Sequence, residues 1–406
     1  MKDRDAEKLG KHLENKKIAM LVSSGIASYK SPSLIRHLRS YGANVTVYTT
    51  QSTLNAGLVG KGALEWATGQ DANKNPVITK LTPNAEHLRE YDAYISAPAT
   101  FNIIGKFASG IADDAPTTTL ASALGRLETG FSKILVVPTM HGTMQNSIYH
   151  ENLEKLTEKG VKVINPIYKW GKANLPKSHT IVVETIRELS ESKLRGKNFL
   201  VTAGPTAVWI DEERKIITRF KGKTGRAIAE ELYMRGANVK LVLGEEIIEV
   251  PEYIDTKIIY SFDEYYESVM NELANKDYDY GVFSAAVADY KPQVQLKGKT
   301  PSGGQMPPTH YNDTLKVIAK VREEYPELHM TTFKYQSNLS VEELLEIADK
   351  RIIGGYQLVV ANRREDMDRE KKLHTSYIVD RNGLVSKSKT KEELAINLLD
   401  TLEARL

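Results

Sequence analysis

The chain has 406 residues, a formal net charge of +3 and a hydrophobic fraction of 41%. This length favours two domains, and the small net charge gives no reason to expect nucleic acid or a membrane surface as a partner. Cysteine is absent, which excludes disulfides, thiolate nucleophiles and cysteine-ligated metals and favours a cytoplasmic location. No apolar run approaches the ~18 residues of a membrane span. The charged residues 1–16 predict a helical N-terminal extension rather than a signal peptide.

From residue 17 the first half alternates between buried-strand and helix patterns. The helix pattern follows the first strand in "KSPSLIRHLRSYG". Apolar, β-branched runs separated by helices are typical of a parallel α/β sheet. The predicted strands are "KIAMLVSS" (17–24), "ANVTVYTT" (43–50), "DAYISAPA" (92–99), "KILVVPTM" (133–140) and "VKVINP" (161–166).

A charged helical connector, "ETIRELSESKLRGKN", separates this half from a second cycle. The second cycle contains strand patterns in "FLVTAGPT" (199–206), "ANVKLVLG" (237–244) and "DYGVFSAAVADY" (279–290), with a helix pattern in "TGRAIAEELYMRG". The predicted fold class is therefore α/β with two Rossmann-like domains, residues 17–188 and residues 189–406.

Hydroxyl-rich turns follow several of the first-half strands. They are "SSG" at 23–25, Thr49 to Ser52, "PATFN" at 98–102 and "TTTLAS" at 117–122. In parallel sheets ligands lie beyond the carboxyl ends of the strands, so these turns predict a cofactor with a phosphate and a polar ring edge. The alternative is ordinary N-capping, which also favours Ser and Thr. A GxGxxG fingerprint is missing, which disfavours a classical dinucleotide site.

Six longer motifs carry a family resemblance. They resemble the bifunctional phosphopantothenoylcysteine decarboxylase/phosphopantothenate–cysteine ligase family, in its archaeal type, from about residue 16 to residue 400. The resemblance implies an N-terminal flavodoxin-like domain that binds flavin mononucleotide (FMN) and a C-terminal nucleotide-binding ligase domain. The motifs are "SGIASYK", "EHLREYDAYISAPATFNIIGKFASGIADDAPTTTLAS", "PTMHGTMQNSIYHENLEKL", "FLVTAGPTAVWIDEERKIITRFKGKTG", "AAVADYKP" and "LVVAN".

By this resemblance, the strand-end turns of the first half hold FMN. Asn102 and its neighbours are expected near the isoalloxazine ring and the ribityl chain. The implied FMN-binding residues are Ser24, Gly25, Ile26, Thr50, Ser52, Pro98, Ala99, Thr100 and Asn102.

Two histidines match the decarboxylase site of the family. His87 matches the active-site histidine of the family. An imidazole can accept or share a proton near neutral pH, which suits that role. The alternative for His87 is a solvated histidine at a helix start. His141 replaces the asparagine of a family motif that holds the substrate carboxylate, and an imidazole can still donate a hydrogen bond there.

The family's catalytic cysteine has no counterpart in the corresponding segment, "NPIYKWGKANLP" (165–176). Another proton donor is then expected, with Lys172 preferred over Tyr168 and Lys169 because a desolvated lysine can have a lowered pKa. The other interpretation is that the first half is no longer a complete decarboxylase.

In the second half, a basic run at 214–226 offers cations for a triphosphate and its transition state. The alternative is a solvated basic face. Arg214 matches a family arginine, whereas Thr218 occupies the place of the family's catalytic asparagine. Lys299 matches the lysine expected to neutralise the triphosphate, and its alternative is an ordinary loop lysine.

The resemblance also implies a nucleotide-binding set and cytidine triphosphate (CTP) as the nucleotide. Mg²⁺ would bridge phosphates and carboxylates, so no dedicated protein ligand set is predicted. The implied residues are Ala285, Ala286, Asp289, Lys299, Leu315, Lys316, Val317, Ile318, Phe333, Lys350 and Gly354.

The implied function is in coenzyme A biosynthesis. 4'-Phosphopantothenate would be condensed with L-cysteine, and the product decarboxylated to 4'-phosphopantetheine. The family resemblance implies trimers of FMN domains and dimers of ligase domains. Two other classes stay open: a flavoprotein that acts on a different thiol and has a degenerate ligase half, and a flavin-free ligase whose first half is an assembly platform.

Overall fold

The computed structural model describes residues 5–70, 76–245, 248–300, 310–368, 370–371 and 373–406. The chain divides into two compact units, Met1–Ser190 and Glu191–Leu406. This division lies two residues from the predicted boundary and directly after a helix that ends at Leu189. Among the described residues, no helix combines the length and the apolar character that a membrane crossing requires.

The first unit is a six-stranded parallel sheet with helices and a small three-stranded antiparallel sheet. The strands are β1 (Lys17–Val22), β2 (Asn44–Thr49), β3 (Val77–Ile78), β4 (Ala93–Ala99), β5 (Lys133–Pro138), β6 (Met140–His141), β7 (Lys162–Val163), β8 (Ile167–Lys169) and β9 (Lys172–Asn174). The helices are α1 (Ser31–Ser40), α2 (Gln51–Asn55), α3 (Lys61–Thr68), α4 (Phe101–Ala108), α5 (Ala115–Glu128), α6 (Ser147–Glu158) and α7 (Ser178–Leu189).

The main sheet of this unit has the order β3-β2-β1-β4-β5-β7, so β1 and β4 lie at its centre. All seven residues of β4 are buried, as expected for a parallel strand that is covered on both faces. α1 buries Leu34, Ile35 and Leu38, a helical spacing that directs one apolar face to the core.

The segment before β1 differs from the prediction. Residues 5–16 contain turns and no helix, so the predicted helical extension is wrong over its described part; residues 1–4 lie outside the described residues. Backbone bonds from Leu9 to Ser40 and from Leu13 to Tyr41 tie the segment to the end of α1. The side chain of Leu13 is fully buried, and this packing competes with a local helix.

The second unit contains an eight-stranded sheet, short antiparallel ribbons and five helices. The strands are β10 (Asn198–Ala203), β11 (Ala207–Trp209), β12 (Lys215–Ile217), β13 (Asn238–Gly244), β14 (Asp255–Ile259), β15 (Tyr280–Phe283), β16 (Tyr290–Pro292), β17 (Tyr311–Asp313), β18 (His329–Gln336), β19 (Leu358–Arg363), β20 (Met367–Asp368), β21 (Leu373–His374), β22 (Ser376–Asp380) and β23 (Gly383–Ser388). The helices are α8 (Lys223–Met234), α9 (Phe262–Asn275), α10 (Val317–Glu324), α11 (Val341–Ile353) and α12 (Lys391–Glu403).

The main sheet of the second unit has the order β14-β13-β10-β15-β18-β19-β22-β23. Its first six strands are parallel, whereas β22 and β23 pair antiparallel. The strand predicted over residues 279–290 ends at Phe283. The following alanine-rich residues, 284–289, do not form a regular strand.

Candidate active sites of the two units

The carboxyl ends of β2, β1, β4 and β5 form one continuous rim in the first unit. The hydroxyl of Thr49 donates to the carbonyl of Val22 at 2.9 Å, and that of Ser23 donates to the carbonyl of Pro98 at 2.5 Å. The amide of Thr139 donates to the carbonyl of Ala99 at 2.9 Å. The structure thus brings together the strand-end turns that the sequence pointed to.

The predicted FMN residues differ in what they can offer a ligand. Ile26 is 77% exposed, and Ser24 and Asn102 are also exposed on this rim. Pro98 and Ala99 are buried, and their carbonyls accept the bonds just described. These two residues therefore position the rim and leave little of their own surface for a ligand.

Two threonines at helix starts show which hydroxyls are already engaged. Thr50 caps α2, since its side chain accepts a hydrogen bond from the amide of Thr53 and lies 2.7 Å from the hydroxyl of Ser52. Thr100 is the N-cap residue of α4 but makes no side-chain capping bond. The N-capping alternative therefore holds for Thr50, whereas the first amides of α4 are left without this cap.

Two hydroxyls of "TTTLAS" are engaged within α5. Thr117 forms a capping box with Asp114 at the start of α5. The hydroxyl of Thr119 is buried and donates to the carbonyl of Ala115 at 2.7 Å. These two groups stabilise α5, and the contribution of this turn to a ligand site stays a prediction.

His87 lies in a short 3-10 turn, Glu86–Leu88, before β4. The hydroxyl of Tyr48 donates to the carbonyl of Glu86 at 2.6 Å, and Arg126 of α5 donates to the carbonyl of Leu88 at 2.8 Å. The Nδ1 atom of His87 is buried and has no hydrogen-bond partner among the described residues. The turn thus packs against β2 and α5, and among the described residues no hydrogen bond joins His87 to Asn102.

A hairpin brings His141 and Lys172 together. β8 and β9 are joined by Trp170 and Gly171, which have φ values of 52° and 66°, as a tight two-residue hairpin turn requires. β9 also pairs with β6, and Lys172 is the direct partner of His141. Residue 142 packs against this turn and must be glycine, because a Cβ on Gly142 would overlap the carbonyl oxygen of Gly171.

The other two proton donors considered in the hairpin are less available or differently placed. Burial, with a smaller contribution from the neighbouring Tyr168 that shares a hydrogen bond with it, raises the pKa of Tyr149 to about 12. Tyr168 therefore lies next to Tyr149 of α6. Lys169 is the partner of Lys172 on the adjacent strand, so it lies one strand further from His141.

In the second unit, the segment after β15 folds back onto the end of β10. The hydroxyl of Ser284 donates to the carbonyl of Thr202 at 2.6 Å, and the amide of Ala286 donates to the carbonyl of Gly204 at 2.8 Å. The amide bonds continue the parallel pairing with β10 only as an isolated bridge between Pro205 and Ala286, so the regular strand ends at Phe283. They also place Ala285 and Ala286 at the carboxyl edge of the sheet.

An open cavity of about 490 Å³ lies beside this segment. The hydroxyl of Thr218 donates to the carbonyl of Ala286 at 3.4 Å, and Asp289 accepts a hydrogen bond from Lys316. The structure therefore brings Thr218, Ala286, Asp289 and Lys316 into one region. The cavity is lined by Ile216, Ile217, Thr218, Val287, Ala288, Asp289, Tyr290 and Tyr311.

The sequence analysis missed Tyr290 and Tyr311. They lie on β16 and β17, where Tyr311 pairs with Pro292 and Tyr290 pairs with Asp313. Each of these strands has three residues, too few for an alternating burial pattern. Only the aromatic residue in "ADYKP", within a motif already noted, could have indicated one of them.

Arg214 is held by a buried carboxylate that was also missed. Asp211 is 0% exposed and accepts bonds from the Arg214 guanidinium at 2.8 Å and the Thr300 hydroxyl at 2.7 Å. Hydrogen bonds, led by the one from Thr300, hold the pKa of Asp211 well below its usual range. Arg214 in turn donates to the carbonyl of Thr300 at 3.2 Å.

These contacts bring Lys299 close to Arg214, because Lys299 immediately precedes Thr300. Lys299 is exposed, so its ammonium is available to a ligand. The residues after Thr300, from 301 to 309, lie outside the described residues.

The remaining residues of the predicted nucleotide-binding set lie in different places and differ in exposure. Val317 is 2% exposed and Ile318 packs against the same core, so their side chains support α10. Leu315 is 49% exposed, whereas Phe333 packs against the sheet core. Lys350 lies in the last turn of α11 and Gly354 is its C-cap. Neither Lys350 nor Gly354 lines the cavity.

Comparison with known proteins decides the family. The model of the family described as Flavoprotein matches residues 7–190, and that of the DNA/pantothenate metabolism flavoprotein C-terminal domain matches residues 194–406. A coenzyme A biosynthesis bifunctional protein CoaBC from Thermococcus kodakarensis is 35% identical over 411 residues, 97% of this chain and 96% of the relative. The chain belongs to the bifunctional CoaBC family.

A second curated relative agrees with this membership. The CoaBC protein of Methanocaldococcus jannaschii is 32% identical and covers 84% of this chain and 82% of its own length. A solved structure of the DNA/pantothenate metabolism flavoprotein from Streptococcus pneumoniae is 24% identical, covers 52% of this chain and all of that chain, and has a TM-score of 0.47. The family, the two α/β units and the bifunctional decarboxylase and ligase assignment predicted from the motifs are confirmed.

Proposed function

We propose that the second unit condenses 4'-phosphopantothenate with L-cysteine at the expense of CTP, and that the first unit decarboxylates the product with FMN. Membership of the CoaBC family supports both activities. The observation that carries the FMN assignment is the rim at β1 and β4, where the start of α4 lacks a side-chain cap. A helix start with free amides favours an anionic or strongly polar ligand group.

The residues at this rim fit FMN. The exposed Ser24 and Asn102 and the unengaged hydroxyl of Thr100 offer hydrogen bonds, and a Cβ on Gly25 would lie 3.2 Å from the Thr100 methyl group. The backbone can therefore come close to a ligand at Gly25 without a side chain between them. FMN, when bound, supplies a two-electron acceptor that takes up and returns a hydride, so the decarboxylation needs no external reductant.

The chain itself supplies proton transfers and substrate binding. His141 would donate a hydrogen bond to the substrate carboxylate that leaves as carbon dioxide. Lys172, directly opposite His141, would donate the proton that the decarboxylated ene-thiol needs when the hydride returns to carbon. His87 would accept or share a proton during oxidation of the thiol.

The position of His87 supports an oligomeric site. Its turn packs against Tyr48 of β2 and Arg126 of α5, and among the described residues no hydrogen bond joins His87 to Asn102. FMN domains that associate as trimers, with flavin at subunit contacts, would let His87 serve the rim of a neighbouring subunit. Its buried, unpartnered Nδ1 atom is consistent with a ligand supplied from outside the described chain.

In the ligase unit, the carboxylate of 4'-phosphopantothenate would attack the α-phosphate of CTP and release pyrophosphate. The amine of cysteine would then attack the activated carbonyl and release cytidine monophosphate. Arg214 and Lys299 would stabilise charge on the phosphates, and Thr218 would contact the reacting acyl group. Mg²⁺ would bridge the phosphates and carboxylates.

Incubation with 4'-phosphopantothenate, cysteine, CTP and Mg²⁺, followed by mass analysis, tests the proposal. The expected product has the mass of 4'-phosphopantetheine, with one pyrophosphate and one carbon dioxide released per turnover. A product that stops at the cysteine adduct would contradict the decarboxylase assignment. Absence of pyrophosphate release would contradict the ligase assignment, and a purified protein without flavin absorbance would contradict the FMN site.

A further inference from the structure

Lys334 lies on the face of the second sheet that α10 and α11 cover. Side chains alternate along a strand, so Lys334 shares a face with Met330, which packs in the same core cluster as Val317 of α10. Lys334 pairs with Ala361 of β19, which packs in a cluster with Leu344 of α11. The lysine therefore extends from the carboxyl-terminal half of β18 between two helices.

The electrostatic surroundings of Lys334 are predominantly cationic. Burial, followed by the charge of Arg351 on α11, lowers the pKa of Lys334, and Lys316 acts in the same direction. Asp289 is the carboxylate that opposes this shift, but it already pairs with Lys316. Within the parts of the chain that the structure describes, Lys334 has no hydrogen bond or ion pair.

A half-buried cation beside two others is unfavourable unless an anion compensates it. Asp289 and Thr218 both line the cavity. The three cations Lys334, Lys316 and Arg351 are therefore adjacent to the region assigned to the ligase reaction. The start of α10 at Val317 adds backbone amides on the same side. A phosphate group carries the charge and the acceptor oxygens that such a group of cations binds best.

We propose that Lys334, together with Lys316 and Arg351, binds a phosphate group of a ligase substrate next to Asp289. This inference deepens the proposed ligase function and rests on it. Both the triphosphate of CTP and the phosphate of 4'-phosphopantothenate have the required chemistry. Sequence motifs did not indicate Lys334, because it lies inside a strand pattern and its neighbours come from distant segments.

Steady-state kinetics of pyrophosphate release can test the proposal. Lys334→Gln removes the charge, Lys334→Arg keeps it, and Lys257→Gln on the exposed edge strand β14 is the matched control. Lys334→Gln should raise the KM for one phosphate-bearing substrate about 10- to 100-fold, the usual range for a hydrogen bond to a charged group. Lys334→Arg should recover a large part of this loss, and the KM for cysteine should not change.

The substrate whose KM rises identifies the source of the phosphate. An increase for CTP assigns the triphosphate, and an increase for 4'-phosphopantothenate assigns its phosphate. Unchanged KM values for both in Lys334→Gln, or an equal increase in Lys257→Gln, would overturn the proposal. The thermal midpoint of unliganded Lys334→Gln should equal or exceed that of the unmodified protein, and a lower midpoint with unchanged KM values would indicate a structural lysine.

Calorimetry separates this inference from the proposed function. CTP, inorganic pyrophosphate and 4'-phosphopantothenate are the probes, and each is titrated into the unmodified protein and into Lys334→Gln. If the unmodified protein releases no pyrophosphate, the ligase assignment fails, but a 10-fold or greater loss of affinity for one probe in the variant still supports phosphate binding. Equal affinities, or no binding to the unmodified protein, would overturn it.

Discussion

The carboxyl edges of the two sheets are built differently. In the first unit, four adjacent strands end in small and hydroxyl-bearing residues, and sheet pairing itself brings Ser24, Gly25 and Thr100 together. In the second unit, the candidate residues are spread over loops, short ribbons, two helices and β18, and the charged ones are Arg214, Asp289, Lys299, Lys316 and Lys350. Asp211 and Thr300, which are 89 residues apart, organise one of the loops, because the hydroxyl and the backbone amide of Thr300 both donate to the Asp211 carboxylate.

This difference shows two ways of making a site on the same type of sheet. A single cofactor with one phosphate can be bound by strand ends whose order the sheet already sets. A site where a nucleotide, a phosphorylated acid and an amino acid react together needs cations from several elements. The second unit meets this need with segments that follow β10 and β15 of the main sheet and β12 of a separate two-stranded ribbon.

The largest effect is expected in the first unit, from a residue outside the rim. His87→Asn should lower decarboxylation of supplied phosphopantothenoylcysteine about 10²- to 10⁴-fold, because a general acid or base is removed. Bound flavin should stay unchanged, since His87 is not among the residues assigned to FMN binding. Carbon dioxide release and the flavin absorbance measure the two quantities, and retained turnover at equal flavin occupancy would refute the role.

Mixing two inactive variants tests whether His87 acts in the site of a neighbouring subunit. If His87 serves a neighbouring subunit, His87→Asn mixed with Asn102→Ala after dissociation and reassociation should regain part of the activity. In a mixed trimer, one of the two contacts between unlike subunits would then contain an intact histidine and an intact rim. Activity that stays at the level of the separate variants would place His87 within its own unit's site.

In the charged site of the second unit, Lys299→Gln should slow pyrophosphate release. Loss of one cation beside the phosphates should cost about 2–4 kcal/mol of transition-state stabilisation, the scale of losing an oxyanion donor. Decarboxylation of supplied phosphopantothenoylcysteine should stay intact. Lys297→Gln, two residues earlier on the same loop, is the control, and equal ligase rates for both variants would make Lys299 an ordinary loop lysine.

A smaller effect on product formation is expected from removing Lys172 on the β8–β9 hairpin of the first unit. Lys172→Ala should reduce formation of 4'-phosphopantetheine about 10²-fold, the lower range for a general acid. With dioxygen excluded, carbon dioxide release should stop after the first turnover, because the hydride is not returned, and the oxidised intermediate should accumulate. Mass analysis distinguishes the intermediate from the product. Lys169→Ala on the adjacent strand is the control, and normal product from Lys172→Ala would point to His141 or solvent as the proton source.

The smallest effects concern the glycines of the two edges. A Cβ on Gly244 would overlap the carbonyl oxygen of Pro205, whereas a Cβ on Gly25 would meet the Thr100 methyl group at 3.2 Å. Gly244→Ala should therefore lower the unfolding free energy by about 1–3 kcal/mol, the range for overpacking, and Gly25→Ala should change it less. Denaturant unfolding measures both, and equal losses would contradict the closer packing of the second edge.

The main strands were predictable because buried parallel strands are continuous β-branched runs. β2, β4 and β13 lie within one residue of their predicted limits. The same reasoning failed at residues 284–289, where an alanine-rich run keeps an isolated bridge to Pro205 but forms no regular strand. The ribbons at Tyr290 and Tyr311 could not be predicted, because three-residue strands have no measurable period.

The sequence by itself determined the family, the two α/β units and the strand ends that carry polar residues. These properties depend on local composition and on the order of motifs along the chain. Only the tertiary structure decided which polar groups are already engaged: Thr50 caps a helix while Thr100 does not, and Asp211 holds Arg214. The reason is that hydrogen-bond partners and neighbouring charges come from distant segments, as the charges of Asp289 and Arg351 near Lys334 illustrate.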